Sequence, residues 1–162
     1  MARPAGLPRS RPAGWGERHG TRMVTSGLEW GQRVVASFGG SDVHLLRFIE
    51  HKGKRILYLN LANASPREHA AGLLAAASAV VAAPERSVLL LVDVSGAGQS
   101  DEADEAVLRF GEQVEGKLRA EALVGLSGLR RRAYDRARLL PPGEQAAFED
   151  LEDAREWLAA RA

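Results

Sequence analysis

Residues 87–95 read Ser-Val-Leu-Leu-Leu-Val-Asp-Val-Ser, a near-continuous apolar run. A strand with one wet face alternates apolar and polar residues. A strand apolar on both faces has to be covered on both, as in the buried parallel strands of α/β sheets. This run is therefore the central strand, and the segments around it have to supply its neighbours and its covering helices.

Upstream, Val43 to Glu50 and Arg55 to Ala62 are β-rich runs separated by His51-Lys52-Gly53-Lys54, a hairpin signal. In the second run Leu57, Leu59 and Leu61 alternate with Ile56, Tyr58, Asn60 and Ala62. One face is leucine and the other mixed, so both are expected to be covered. Ser65-Pro66 then provides an N-cap followed by proline at the first helical position, where its missing N–H costs nothing. The stripe Ala70, Leu73, Leu74, Ala77, Val80, Val81 predicts a helix, and Pro84 stops it.

Downstream of the central run, Gly96-Ala97-Gly98 is a turn and Ser100 or Asp101 caps a second helix. Its apolar face is Ala103, Ala106, Val107, Phe110 and Val114. Asp101, Glu102, Asp104 and Glu105 suit its positive N-terminal end. Ala122 to Leu126 predicts another strand. Ser127-Gly128 opens a third helix with Leu129, Ala133, Ala137 and Leu140 on one face, ended by Pro141-Pro142-Gly143. A short strand around Ala146 to Phe148 and a helix capped by Asp150, burying Leu151, Ala154 and Leu158, complete the pattern. Strands alternate with helices from Arg55 onward. That order implies an α/β fold: a mixed, mostly parallel sheet of four to five strands with helices packed on it, the first hairpin strand antiparallel.

A length of 162 residues suits one domain. Residues 43–162 are read as that domain. Residues 1–22 mix Pro, Gly and Arg without periodicity and are expected to be a disordered basic tail, read as an upstream start ahead of Met23. Residues 23–42 carry no motif, although Arg33 to Phe38 suits a short strand and Gly39 to Asp42 a turn. The tail holds five of the 22 basic residues and one of the 21 acidic ones, so the rest of the chain has a net charge of −3. A mildly acidic domain is a poor ligand for nucleic acid, whose binding rests on neutralising phosphates.

The absence of cysteine excludes disulfides, thiolate metal sites and a cysteine nucleophile, and agrees with a reducing compartment. No apolar run approaches the roughly 20 residues of a membrane helix. A cytoplasmic protein without a membrane span is expected.

The order of elements, together with Asp93-Val94-Ser95-Gly96, Val124-Gly125-Leu126-Ser127-Gly128-Leu129 and the closing Phe148-x-Asp150-Leu151-Glu152, resembles small stand-alone STAS-like domains of bacteria. That group takes its name from sulfate transporters and anti-sigma-factor antagonists. The resemblance covers residues 43–160 and implies a regulatory or interaction module with no substrate and no cofactor. The antagonists carry Asp-Ser-Ser-Gly at the start of the second helix, where phosphorylation of a serine switches partner binding. Here the corresponding positions are Asp101-Glu102-Ala103-Asp104, so the resemblance implies a domain without that serine switch.

The residues themselves carry little catalytic chemistry. The histidines, His19, His44, His51 and His69, lack metal-ligand spacing, and no metal site is expected. Neither nucleotide-binding glycine motif occurs, and Gly125-x-Ser127-Gly128 is one residue short of a hydrolase elbow. The carboxyl ends of parallel strands are nonetheless where open α/β sheets bind ligands. There the candidate anion or ligand crevice comprises Asn60, Asn63, Ser127, Gly128 and Arg130, and the candidate interaction surface comprises Asp93, Ser95, Ser100, Asp101 and Glu102. The plainer alternative is that Arg130 to Arg132 form a solvated face and that Asp93 holds its own turn.

Two functions are expected to compete. The leading one is a non-enzymatic regulatory module that binds a protein partner through the second helix and the strand ends. The other is a carrier or sensor for a small anion or lipid, which a closed apolar pocket would favour.

Overall fold

The computed structural model describes residues 36–37, 44–136 and 144–162. The basic segment 1–22 and, apart from Ala36 and Ser37, the extension 23–42 lie outside the described residues. The elements in order are β1 (Ala36–Ser37), β2 (His44–His51), β3 (Lys54–Asn60), α1 (Pro66–Val81), β4 (Val88–Asp93), α2 (Asp101–Val114), β5 (Leu118–Val124), α3 (Gly128–Arg136), β6 (Gln145–Phe148) and α4 (Leu151–Ala159). They form one sheet in the order β1-β2-β3-β4-β5-β6. β2 pairs antiparallel with β1 and with β3, and every later pair is parallel.

The five longer strands are those expected from the sequence, and β1 adds a two-residue pair within the run Arg33 to Phe38. Local chemistry explains each junction. The β2–β3 hairpin turns on Lys52 and Gly53, with φ of 50° and 69°. Two positive φ values define the type I′ turn whose twist matches a two-residue hairpin, and glycine meets the second at no steric cost. Ser65 and Glu68 form a full capping box at α1, the Ser65 hydroxyl accepting from the Glu68 N–H while the carboxylate accepts from the Ser65 N–H at 2.8 Å. Ser100 caps α2 by accepting from Ala103 N–H at 3.1 Å, and Asp150 caps α4 by accepting from the N–H groups of Glu152 and Asp153.

The alternation in β3 sorts the core into two layers. Leu57, Leu59 and Leu61, with Leu90 and Val92 of β4, pack against Leu73, Ala77 and Val80 of α1 and Phe110 of α2. Ile56 and Tyr58, with Leu89 and Leu91, pack against Ala154 and Leu158 of α4 on the other face. The central run is thus covered on both sides, as its composition demanded. Successive parallel strands advance in one direction along the sheet, so right-handed crossovers place their connecting helices together on one face. α4 follows the last strand and covers the other.

β5 begins at Leu118, four residues before the apolar run that announced it. Leu118-Arg119-Ala120-Glu121 hides the strand because its charges interrupt the pattern. Arg119 is exposed, whereas Glu121 is buried. The four residues expected to form the apolar face of the third helix, Leu129, Ala133, Ala137 and Leu140, lie outside the described side chains. No described helix is long and apolar enough to cross a membrane.

Candidate functional site

At the carboxyl ends of the parallel strands the chain continues its ladder into the loops. Leu61 N–H donates to Asp93 C=O and Asn63 N–H to Ser95 C=O, both at 2.8 Å, and Val94 N–H donates to Val124 C=O at 3.0 Å. Asn60 Oδ1 accepts from Ala62 N–H at 3.1 Å, and Asp93 Oδ1 accepts from Ser95 N–H at 2.9 Å. These are Asx turns, in which a short polar side chain caps its own following backbone. Asn63 takes a left-handed φ of 57°. Gly125 lies so close to Ser95 that a Cβ there would stand 2.1 Å from its Oγ. The polar groups at these strand ends therefore hold the loops to one another.

Ser127 and Gly128 are exposed where α3 begins. Arg130, one turn into that helix, reaches back to donate from Nη2 to Gly98 C=O at 2.9 Å. Ser100, Asp101 and Arg130 meet at one pocket, and Glu102 lines a smaller groove between α1 and α2. Asn60, Asn63, Asp93, Ser95, Ser127 and Gly128 line neither.

The pocket at Arg130 is the larger, about 670 Å³, and lies between α2, α3 and the sheet. α2 packs chiefly on α1, which leaves the space over β4 and β5 unfilled. Its walls are mostly apolar: Val92 and Val94 of β4, Phe110 of α2, Leu118 and Leu123 of β5, and Leu126. Val107 and Leu108 of α2 belong to the same lining and are 41% and 59% exposed.

Three buried polar side chains also reach this pocket: His69, Glu121 and Gln145. Glu121 and Gln145 are opposite residues of the β5–β6 pair, and Gln145 Nε2 donates to Glu121 Oε2 at 2.5 Å. Burial pushes the Glu121 carboxyl pKa up, and the hydrogen bond from Gln145 only partly opposes it. His69 is shifted down, first by burial and then by the nearby Arg130, so its imidazole is neutral. Gln145 Oε1 and His69 Nδ1 have no hydrogen-bond partner among the described residues. Sequence reasoning missed the Glu121 and Gln145 pair. The available signal was a carboxylate between Ala120 and Ala122 in a strand whose alternate residues, Ala120, Ala122 and Val124, are all apolar.

A second polar cluster ties the hairpin to α4 on the opposite face. His51 Nε2 lies 3.0 Å from Glu156 Oε1, His51 Nδ1 lies 3.9 Å from Glu152 Oε1, and Lys52 Nζ bonds the other Glu156 oxygen. These hydrogen bonds, Lys52 first and His51 next, hold the Glu156 carboxyl below the usual carboxylate range. His51, Glu152 and Glu156 have donor atoms close enough to share a cation. The Lys52 ammonium already supplies positive charge to Glu156, and the cluster reads as an ion-pair clamp.

No curated protein matches the sequence. Among solved structures, an uncharacterised protein from the DUF3478 family with a SpoIIAA-like fold, from Shewanella loihica PV-4, is similar at 20% identity. The match covers 82% of this chain and 99% of that one, with a TM-score of 0.56. At that identity the likeness speaks for the fold. The SpoIIAA-like family model matches residues 62–159, from the end of β3 through α4. With the STAS-like order of elements and the match over most of the domain, the chain belongs to the SpoIIAA-like family.

Proposed function

We propose that this domain is a non-enzymatic, cytoplasmic carrier or sensor that binds a mainly apolar small molecule between α2, α3 and the sheet. The observation that carries this reading is the pocket of about 670 Å³ with its apolar walls. Ligand sites typically occupy about 300–1,000 Å³ and combine apolar walls with a few fixed polar groups. Here Glu121, Gln145 and His69 are those groups.

The test is titration with a neutral apolar dye such as Nile red. Leu123→Trp places a larger ring in the pocket and should abolish dye binding while circular dichroism remains unchanged. Equal dye affinity in the variant and the parent would overturn the reading.

A second reading, a regulatory module that binds a protein partner through α2, is favoured by a separate observation. Val107 and Leu108 are exposed on a helix that also presents Asp101 and Glu102. Exposed apolar residues rimmed by charge are common at protein interfaces. Val107→Ser with Leu108→Ser would weaken such a partner, and partner affinity unchanged in that double variant would overturn this second reading.

A further inference from the structure

Acidic side chains outnumber basic ones in the lining of the larger pocket, which also holds Gln99, Ser100 and Tyr134. Gln145 and His69 are each 6% exposed, and neither the Gln145 acceptor Oε1 nor His69 Nδ1 has a hydrogen-bond partner among the described residues. A buried acceptor left without a donor is costly, and a ligand that brings one recovers that cost. Glu121 lies beside Gln145 on the floor. Asp101, Asp104 and Glu115 line the same pocket. Against these four acidic groups stands Arg130, which is engaged with the Gly98 carbonyl.

We infer that the ligand is an organic amine, whose ammonium group donates to Glu121 and to Gln145 Oε1 while its apolar body lies against Leu118, Leu123 and Leu126. The inference rests on the pocket being a ligand site. The charge of the lining disfavours a carboxylate or phosphate head, and a plain alcohol has a single hydrogen to offer. An ammonium has several. In the empty pocket burial favours the neutral Glu121 carboxyl. On pairing with an ammonium it gives its proton to solvent, and the ion pair with its charge-assisted hydrogen bonds replaces an acid beside an orphan acceptor.

The experiment is calorimetric titration of the full chain with octylamine, octanol and octanoate, which share one apolar body. A charge-assisted bond is worth about tenfold in affinity or more, so octylamine should bind at least that much more tightly than octanol, with octanoate weakest. Glu121→Gln should remove the preference for octylamine over octanol, and circular dichroism unchanged from the parent shows that the variant is folded. Gln145→Leu should reduce that preference in part. If octanol or octanoate binds as tightly as octylamine, the amine assignment fails and the pocket reading stands. If none of the three binds, both fail.

Discussion

Gln145 stands directly opposite Glu121 across the parallel β5–β6 pair, and its Nε2 donates to Glu121 Oε2 at 2.5 Å. The pair is buried on the face that α2 and α3 border, between the fully buried Leu90 and the end of the sheet. Sheet geometry makes this contact unavoidable: opposite residues on neighbouring strands share a face and lie within side-chain reach.

A carboxyl buried in this way makes stability depend on pH. Its pKa in the folded state lies above the ordinary 4.5. The folded protein therefore holds this proton more tightly than the unfolded chain. The stability it contributes is fully present below the unfolded value and is lost as pH rises through the folded one. Glu121→Gln removes the titration. Urea midpoints measured from about pH 4 to about pH 8 should show the variant gaining on the parent as pH rises. A difference that stays constant across that range would refute the assignment.

Gly125 couples the end of β5 to the loop after β4. Its φ is 79°, and an added Cβ would stand 2.6 Å from Ser95 Cα as well as 2.1 Å from Oγ. Backbone atoms cannot rotate away. Gly125→Ala should cost about 2 kcal/mol or more, from strain and overlap together. Ser95→Ala in the same background should recover only the part due to the hydroxyl. Full recovery in thermal unfolding would mean that the backbone contact is not tight.

α4 is fastened by Leu158, fully buried among Ile56, Tyr58 and Leu91, while Phe148 and Trp157 meet edge to face at 5.6 Å. Leu158→Ala should lower stability by on the order of 2–5 kcal/mol. Leu74→Ala, at a side chain 54% exposed on α1, serves as the control and should change it by about 0.5 kcal/mol or less. Equal urea midpoints for the two variants would make α4 peripheral.

What the sequence disclosed was whatever is settled locally. The two faces of β3 follow from the alternation of Leu57, Leu59 and Leu61 with Ile56 and Tyr58, and the helix starts follow from Ser65, Ser100 and Asp150. The Glu121 and Gln145 pair was illegible for a physical reason. In Leu118-Arg119-Ala120-Glu121 two charges flank Ala120, yet Arg119, at a register shift near the strand's start, reaches solvent while Glu121 is buried. Which of two such charges is buried depends on the neighbouring strand and on the helix above it. The pocket is likewise a tertiary outcome, arising where α2 packs chiefly on α1. Of the residues singled out beforehand, Ser100, Asp101 and Arg130 reach the pocket, and Asn60 and Asp93 hold turns.

The start of α2 is where a serine switch operates in anti-sigma antagonists, and here one nearby hydroxyl is crowded by backbone and the other caps the helix. Ser95 is partly buried, with its Oγ facing the Gly125 backbone. Ser100 Oγ accepts from Ala103 N–H at 3.1 Å as the N-cap, and Asp101, Glu102 and Asp104 already place negative charge in the first turn. A phosphate adds about −1.5 to −2 charges, so on Ser100 it would face the repulsion of those carboxylates. Ser100→Ala should therefore cost about 1 kcal/mol, whereas Ser100→Asp, which supplies an equally good cap, should remain near the parent in thermal unfolding. Phosphosite mapping of protein from its native host across growth conditions should find neither Ser95 nor Ser100 substantially modified. A Ser100→Asp variant that behaves like Ser100→Ala would mean that Ser100 is not the cap, and condition-dependent phosphate on either residue would mean that this helix start is a switch after all.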